Sequence, residues 1–585
     1  MQKNNKKEGI MESNKKNIKN KNKLSATNKN TPESPQRRQF LSNTCALTVT
    51  GVTAGLLGSG ALLTSKSVSA DEFKKELSKP LRALEGEERQ EQVYKLRKQA
   101  AKRYRKLPPV VQINNGDDAA YTARIGSFTK GMPHNGLGEV DKDIYATYLQ
   151  AIETGDRDLF DTIPTPGNIT LRNIENIWSI DYLGPDSHSL TIPPAPAIAS
   201  AEHGGEFVEL YWKALTRDVP FADYSVNADI QAAISDMNKL SDFRGPKENG
   251  QVTTDTLFRG AYSGDLEGPY ISQFLAVDIP YGAMLVPQKT ITAPFGQDYI
   301  TSYNDWVNQQ NGNVAKQKTN DPVHRYLRSG RDLGEYVGRD FLYQPYLNAA
   351  LILTRGLKLP FDSNNPYIKP GKSSQHGHNT FGGHHLYHMV VRIANIAQKH
   401  AWYHKWAVHR RLRPEEYGGR VHNHMVGDAV YPMPDDLLNS DAIQRVIAKW
   451  GSYLLPQQYP EGVPPHPAYP AGHATIAGAC TTMLKALMNE DTVLSNPVVS
   501  NVDGTELDAY TGGDTLTVGG ELNKLAANIS IGRDFAGVHW RSDSIEGMLL
   551  GEEVAINVLR DLKLGYYEEF KGFHLTKFDG TQIII

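Results

Sequence analysis

Three short segments of the chain carry basic and imidazole side chains at spacings that suit the binding of an oxyanion. The first contains Lys405 and, eight residues later, Arg413, and the third contains Arg533. Lysine and arginine supply fixed positive charge, and the arginine guanidinium forms paired hydrogen bonds to oxyanions. Each stretch alone is also explained by a solvated basic helix end or a surface cluster of salt bridges. The ordered set of three predicts a cradle for a tetrahedral oxyanion.

The second segment, Tyr469-Pro470-Ala471-Gly472-His473, directly precedes an apolar run that favours a helix. The free N–H groups and the dipole of a helix N-terminus attract anions. Gly472 has no side chain, so its backbone can approach an oxyanion closely. His473 projects from the same turn and can transfer a proton near neutral pH. A simple turn before a helix is the alternative explanation of this segment.

The third segment places His539 four residues before Asp543, at the start of the last long predicted helix. This spacing allows the carboxylate to orient the imidazole and to raise its basicity. Arg533 lies six residues before His539, across a turn at Gly537. The segment therefore predicts an oriented imidazole beside a fixed cation, and this imidazole can bond to the central atom of the oxyanion.

In this order the three segments resemble the vanadium-dependent haloperoxidases, and the algal bromoperoxidases in particular. The related type-2 phosphatidic acid phosphatases and bacterial acid phosphatases share the same pattern. The Lys–Arg spacing of eight and the histidine at position 466 favour the haloperoxidases. The resemblance runs from about residue 180 to 565, with further similar stretches at 193–196, 201–212, 258–260, 264–275 and 343–349.

This resemblance implies a vanadate cofactor and a role for each residue of the three segments. His539 is implied as the metal ligand, and His473 as the acid–base group at the reacting oxygen. The implied cofactor-binding residues are Lys405, Arg413, Gly472 and Arg533, together with His539. Asp543 is implied to orient His539, and His466 and Trp402 are implied to line the substrate pocket, with His466 counted among the catalytic residues.

The implied reaction is the oxidation of bromide or iodide by hydrogen peroxide to hypohalous acid, with a small organic acceptor left open. One alternative is a phosphatase that forms a phosphohistidine at His539 and uses His473 as the leaving-group acid. A second alternative is an oxyanion-binding protein without turnover. The family usually has serine before the Gly-His pair, and Ala471 departs from it. A missing hydroxyl is expected to weaken transition-state stabilisation by on the order of 1 kcal/mol.

The amino-terminal region resembles a twin-arginine signal peptide. Residues 1–38 hold nine Lys and two Arg against three Glu, and Arg37-Arg38-Gln-Phe-Leu precedes an apolar stretch from Cys45 to Leu63. Val68-Ser69-Ala70 then fits a small-residue cleavage site. We therefore expect export to the periplasm or beyond the cell, without a stable membrane anchor after cleavage. An uncleaved basic tail with one membrane anchor is the alternative. The rest of the chain carries net negative charge, which argues against a nucleic-acid partner.

The apolar spacing beyond residue 200 favours amphipathic helices over alternating strands. The predicted helices include 201–216, 334–356, 386–408, 474–488 and 542–562, and Pro345 should start, kink or divide the second of these. Short strands are expected near 279–293 and 575–585. We predict an all-α fold of helical bundles, two four-helix bundles with long loops and few short strands. The expected organisation is a Tat-type signal peptide at 1–70, a helical arm and loops at 71–179, and a catalytic domain at 180–585. The charged arm offers an intersubunit contact, and we expect a homo-oligomer.

Overall fold

The fold is seen in a computed structural model that describes residues 84–315, 317–358, 360–368 and 374–585. The predicted signal peptide and the first residues of the predicted arm lie outside the described residues. Among the described residues, no helix has both the length and the apolar character needed to cross a bilayer.

Helices dominate the described residues, which confirms the predicted fold class. In chain order the α-helices are α1 Gly86–Arg105, α2 Asp117–Ala120, α3 Lys142–Thr154, α4 Arg157–Asp161, α5 Ala201–Thr216, α6 Ala228–Met237, α7 Tyr303–Gln310, α8 Gly330–Tyr336, α9 Gln344–Leu351, α10 Gly383–Tyr403, α11 Pro414–Val426, α12 Asp435–Leu438, α13 Asp441–Trp450, α14 Gly472–Lys485, α15 Val518–Phe535 and α16 Arg541–Gly565. Two π-helical segments, Ile352–Gly356 and His404–His409, continue α9 and α10. Short 3-10 helices cover Ile174–Trp178, Ser187–Ser189, Phe221–Asp223 and Gln273–Leu275.

A central bundle of α10, α14, α15 and α16 forms the core that carries the three segments. Helix α14 is buried along nearly its whole length, so it packs on all sides rather than on one stripe. Small residues allow α14 and α16 to approach closely. A Cβ on Gly478 would lie 2.0 Å from the Met548 carbonyl oxygen, and one on Gly551 would lie 2.0 Å from that of Thr475. The bundle therefore fixes the start of α14 against the start of α16.

A second group of helices packs around α5, with α6, α12 and α13 as its neighbours. Helix α5 begins at a Ser200 cap, whose hydroxyl accepts from the His203 N–H, and its predicted bounds agree with the observed ones. Its buried face includes charged residues as well as apolar ones, among them Glu206, Glu209 and Lys213. These charges connect α5 to the central bundle and bear on the site below.

Strands are few and short among the described residues. They form three antiparallel hairpins, β1 Ile279–Tyr281 with β2 Met284–Val286, β3 Val498–Ser500 with β4 Leu507–Ala509, and β5 His574–Thr576 with β6 Gln582–Ile584. The first and third hairpins lie where short strands are predicted, whereas the second was missed. Its strands hold only three residues each, too few for an alternating pattern.

The predicted helix at 334–356 is divided, as its proline suggested. Helix α8 ends at Tyr336, and α9 begins with Pro345 at one of its first two positions, where the missing N–H costs nothing. The loop between them contains Asp340, which faces the site. The division therefore places the Asp340 carboxylate beside His473, a position that a continuous helix would not give it.

Candidate active site

The nine predicted site residues come together at one cavity of about 1030 Å³. Its lining includes Trp402, His466, Gly472, His473, Arg533 and His539. Lys405, Arg413 and Asp543 lie behind this lining and are buried completely. Residues about 130 positions apart in sequence thus share one site, because the central bundle places their helix ends side by side.

Lys405 lies on the π-helical segment that follows α10, and its ammonium group turns towards the segment before α14. Its Nζ donates to the carbonyl oxygens of Pro467 at 2.8 Å and of Ala468 at 2.7 Å. Burial and the neighbouring Arg413 guanidinium hold the pKa of Lys405 well below its ordinary value. An anion in the cavity would favour the protonated form of this lysine.

Arg413 is extended, as expected for a residue before proline, with φ −88° and ψ 158°. Its backbone N–H donates to Glu416 Oε2 at 2.7 Å, and its Nη1 donates to the Val538 carbonyl oxygen at 2.7 Å. Its Nη1 also lies 2.8 Å from His539 Nε2, and its Nη2 lies 2.9 Å from His466 Nδ1. Burial lowers the pKa of Arg413 to about 9. This guanidinium therefore connects the first segment to both flanking histidines.

Arg533 is the third cation, near the end of α15. Its Nη1 donates to the Val337 carbonyl oxygen at 2.9 Å, and Tyr459 packs its ring beside the guanidinium at 5.6 Å. Its Nε is buried and has no hydrogen-bond partner. A buried donor without a partner is costly, so this atom marks a place for an acceptor.

The start of α14 presents Gly472 and His473 to the cavity. Ala471 occupies the N-cap position without a side-chain oxygen, so no side chain caps the first-turn N–H groups. A Cβ on Gly472 would lie 3.4 Å from the Trp402 ring, which shows how close this backbone approaches the pocket wall. His473 Nε2 lies 3.1 Å from Asp340 Oδ1. Burial lowers the pKa of His473, and the Asp340 carboxylate opposes that shift.

His539 and Asp543 interact as their spacing predicts. His539 Nδ1 lies 2.8 Å from Asp543 Oδ2, which leaves Nε2 to face the cavity and Arg413. Gly537, at φ +82°, makes the turn between α15 and this histidine, and a Cβ there would lie 2.9 Å from Gln457 Nε2. Burial and the nearby Arg413 charge hold the pKa of His539 well below its ordinary value. The imidazole is therefore neutral, with its lone pair on Nε2.

One wall of the cavity is aromatic. The Trp402 and His466 rings lie 4.7 Å apart, and Trp402 Nε1 donates to the Arg172 carbonyl oxygen at 3.2 Å. Asn168, Ile169 and Thr170 extend this wall. Residues before position 180, which the sequence resemblance does not cover, thus enclose the same cavity as the three segments.

Comparisons with known proteins agree with this geometry. Residues 389–564 match the family model described as the VCPO second helical-bundle domain. The chain is 35% identical over 555 residues to the vanadium-dependent bromoperoxidase of Corallina officinalis, covering 80% of this chain and 92% of that protein. It is 34% identical over 528 residues to the vanadium-dependent bromoperoxidase of Ascophyllum nodosum, covering 85% and 92%.

The chain belongs to the vanadium-dependent haloperoxidase family. A solved structure agrees in fold along the chain. It is the homohexameric second vanadate-dependent bromoperoxidase (AnII) from Ascophyllum nodosum, with a TM-score of 0.79 at 28% identity, covering 91% of this chain and 94% of that one. The enzyme class predicted from the three segments is therefore confirmed.

The cavity of this haloperoxidase fits vanadate, the cofactor of the family, by its charge and by its unsatisfied donor. Arg533 lines it, Lys405 and Arg413 lie behind its lining, and among the described residues none of the three forms an ion pair with a carboxylate. Buried cations without a counter-charge are unfavourable unless an anion joins them. A small oxyanion supplies that charge and an acceptor for Arg533 Nε.

Sequence reasoning missed two sets of residues around the haloperoxidase site. Asp340, the partner of His473, comes from a loop that no local motif marks. Arg411 and Glu206 lie behind Asp543, and Arg411 Nη2 donates a hydrogen bond to Glu206 Oε2 at 2.8 Å. The similar stretch at 201–212 contains Glu206 and was a signal for the second set, but a stretch of sequence does not say which buried partner it meets.

Proposed function

We propose that this chain is an exported, vanadate-dependent haloperoxidase that oxidises bromide and iodide with hydrogen peroxide to hypohalous acid. The single observation that carries the proposal is the set of three cations around a neutral, oriented His539: Arg413 contacts its imidazole, and the charges of Lys405 and Arg533 act on the same ring. Three cations can balance the charge of an oxyanion. The imidazole lone pair can bind a metal that accepts nitrogen ligands. Bound vanadate supplies a Lewis acid that activates hydrogen peroxide for oxygen transfer to halide, without a change of metal oxidation state.

The three cations and the start of α14 would hold the oxygen atoms of a bound anion. Lys405 and Arg413 lie behind the lining, and Arg533 lies at the end of α15 with a buried Nε that has no hydrogen-bond partner. The Gly472 N–H would add a neutral donor at a helix N-terminus, where the dipole also favours negative charge. Lys405 and Arg413 are excluded from solvent, so their interactions with the anion would be weakly screened.

His539 is proposed as the ligand of the metal. Asp543 accepts the hydrogen bond of the Nδ1–H group, so the tautomer with a lone pair on Nε2 is fixed. Arg413 Nη1 contacts that lone pair in the structure. With vanadate at His539 Nε2, Arg413 would be close enough to hold one of its oxygen atoms.

His473 is proposed to move the proton that hydrogen peroxide must lose. Asp340 contacts its Nε2, which leaves Nδ1 for exchange with a molecule in the cavity. Burial lowers the pKa of His473, and the Asp340 carboxylate opposes that shift. The position of His473 in the cavity lining and its carboxylate partner thus suit a general acid–base residue.

Trp402 and His466 are proposed to line the halide pocket. Their ring centroids lie 4.7 Å apart with the planes tilted by 39°, and Arg413 Nη2 lies 2.9 Å from His466 Nδ1. Burial and the charge of Arg413 hold the pKa of His466 well below its ordinary value, so its ring is neutral. An aromatic and weakly polar wall suits large, polarisable anions such as bromide and iodide.

Export and self-association belong to the same proposal. The twin-arginine pattern and the small-residue end at Val68-Ser69-Ala70 support export to the periplasm or the medium. The homohexameric Ascophyllum nodosum structure supports a homo-oligomer. Cell fractionation and sedimentation of the purified protein test the two points separately.

One set of assays tests the proposed reaction. Protein freed of vanadate receives vanadate, hydrogen peroxide and bromide, and bromination of a phenol is followed. Parallel samples receive iodide or a phosphomonoester. We expect vanadate-dependent halogenation with both halides. Phosphate release without halogenation would establish the phosphatase instead, and tight vanadate binding without either activity would establish an oxyanion-binding protein.

A further inference from the structure

Behind the candidate metal ligand lies a buried chain of charged side chains that runs from α5 to α16. Arg411 is its centre and is only 1% exposed. Its Nη1 donates to Asp543 Oδ1 at 2.8 Å, and its Nη2 donates to Glu206 Oε2 at 2.8 Å. Asp543 in turn contacts His539 through its other oxygen, Oδ2. Four side chains from three parts of the sequence thus form one continuous path to the imidazole.

The two carboxylate oxygens of Asp543 accept hydrogen bonds from different groups. Oδ2 receives His539 Nδ1 at 2.8 Å and the Trp540 N–H at 3.1 Å, whereas Oδ1 receives Arg411. Without the Arg411 contact, Oδ1 loses its partner and only the contacts of Oδ2 hold the carboxylate. A carboxylate held through one oxygen fixes the angle of the imidazole less firmly than one held through both.

Glu206 holds the other side of the guanidinium. Its Oε2 accepts from Arg411 Nη2, and its Oε1 accepts from the Ser542 backbone N–H at the start of α16. Arg411 also donates to Ser542 Oγ at 2.8 Å and packs over the Trp540 ring at 4.8 Å. The fork of the guanidinium is thereby fixed by two carboxylates at once, which an arginine achieves and a lysine does not.

We propose that Arg411, held by Glu206, is a positioning residue that aligns His539 for its bond to vanadium through Asp543. Arg411 touches neither the cavity lining nor the lining imidazole, so it acts only through the carboxylate. The proposal rests on the proposed function, because it concerns vanadate as the ligand. It gives a role to the stretch at 201–212, which the three segments leave unexplained.

Two inorganic anions separate this role from a general structural one. Vanadium accepts an additional ligand from an imidazole, whereas inorganic phosphate binds through charge and hydrogen bonds alone. Misalignment of His539 should therefore weaken the binding of vanadate and leave the binding of phosphate unchanged. A general loosening of the site, or a change in its positive charge, should weaken the binding of both anions.

The experiment measures dissociation constants of vanadate and of phosphate by calorimetry, without peroxide or halide. Arg411→Lys keeps the charge and removes the fork. We expect its vanadate dissociation constant to rise by about 10- to 100-fold, the usual effect of removing the partner of a metal ligand. The phosphate dissociation constant should change by less than about 3-fold. Glu206→Gln is a milder second variant and should shift vanadate in the same direction.

Arg410→Lys is the matched control, because Arg410 is the adjacent arginine and pairs with Asp118 at 3.0 Å instead. It should leave the ratio of the two constants unchanged. Arg411→Lys added to Asp543→Ala should also cause no further loss, since the path is already cut. Equal losses for both anions in Arg411→Lys, or no loss, would overturn the positioning role. An unaltered protein that binds vanadate no more tightly than phosphate would overturn the proposed function as well.

Discussion

At the scale of single residues, Ala471 stands where the resemblance to the haloperoxidases implies a serine. It sits at the N-cap of α14, is fully buried, and offers no oxygen to the first-turn N–H groups or to the cavity. We expect Ala471→Ser to tighten vanadate binding or to raise halogenation turnover, since one hydrogen bond is worth about 1 kcal/mol. Vanadate titration and steady-state bromination measure the two quantities. If neither vanadate affinity nor turnover changes, the result contradicts a role for a hydroxyl at this position.

The buried charge of Lys405 should lower the stability of the protein without vanadate and increase its affinity for vanadate, and one substitution tests both effects. It is a buried cation with a depressed pKa and two carbonyl partners. Lys405→Met keeps most of the volume and removes a charge that is costly without its anion. We expect unchanged or higher thermal stability without vanadate, together with at least 10-fold weaker vanadate binding.

Lys399→Met provides the matched control for Lys405. Lys399 lies on the same helix, is 20% exposed at its side chain, and pairs with Asp181 on the outside. Its loss should leave vanadate affinity unchanged. Equal affinity in Lys405→Met and the unaltered protein would remove Lys405 from the cradle.

The Asp340 carboxylate sets the acid–base behaviour proposed for His473. Burial lowers the pKa of His473, and Asp340 raises it in opposition. Asp340→Asn removes the opposing effect, so the pKa of His473 should fall further. The limb of the pH–rate profile that reports His473 should therefore move to lower pH. Asp181→Asn, at the outer ion pair, should leave the profile in place, and an unmoved limb in Asp340→Asn would contradict this assignment.

At the scale of elements, the turn between α15 and α16 fixes the distance from Arg533 to His539. Gly537 adopts φ +82°, and a Cβ there would meet the Gln457 side chain at 2.9 Å. Gly537→Ala should therefore destabilise the protein by about 1 kcal/mol or more. It should also weaken vanadate binding, because the ligand and the cation then shift relative to each other. Thermal unfolding and vanadate titration measure both effects.

Gly513→Ala is the corresponding control, since no atom lies within 4 Å of a Cβ at that position. Its stability and vanadate affinity should match those of the unaltered protein. If Gly537→Ala behaves like this control, the turn does not set the site.

The elements that sequence periodicity could predict are the long amphipathic ones. The predicted bounds of α5 agree with the structure, and those of α14 and α16 differ by a few residues at their ends. The run predicted as one helix to position 408 instead becomes π-helical from His404. This change depends on partners distant in sequence, such as the Tyr148 hydroxyl that donates to the Trp406 carbonyl oxygen at 3.0 Å. No local pattern contains that information.

The same reason separates the predicted from the unpredicted parts of the site. Groups that share a short segment, such as His539 and Asp543, are visible as a spacing of four. Asp340 and Glu206 reach the site only through tertiary packing. Asp340 is 133 residues from His473 in sequence, and Glu206 is 336 residues from Ser542. Buried charges of this kind look like ordinary surface charges in a sequence, since charged residues are rarely buried unless paired.

At the scale of the whole molecule, buried histidines should govern stability in weak acid. Burial lowers the pKa of His134 and His409 to about 3, and the pKa of His385 and His400 to about 4. Four more histidines have a pKa well below the ordinary value: His203, His404, His466 and His539. Each is neutral when folded and gains a proton when unfolded below pH 6.5. Their contribution to stability is complete above that pH and is lost as pH falls through 6.5 towards 4.

Buried carboxyl groups act in the opposite direction. Burial raises the pKa of Asp265, Asp534 and Glu546 to about 7, so each of these three loses a proton on unfolding near pH 5.5. Burial raises the pKa of seven further carboxyl groups less strongly: Asp117, Glu202, Asp332, Glu416, Glu490, Asp543 and Glu552. The eight histidines outnumber the three carboxyl groups with the largest shifts, and each uncompensated histidine is worth up to about 1.4 kcal/mol per pH unit. Unfolding at pH 5.5 should therefore take up protons, and the apparent Tm should fall between pH 7 and pH 5. Calorimetry in buffers of different ionisation enthalpy measures this uptake, and His409→Leu should reduce it by about one proton, because neither of its ring nitrogens has a partner in the fold. Net proton release at pH 5.5 would mean that the carboxyl groups, rather than the histidines, control the acid response.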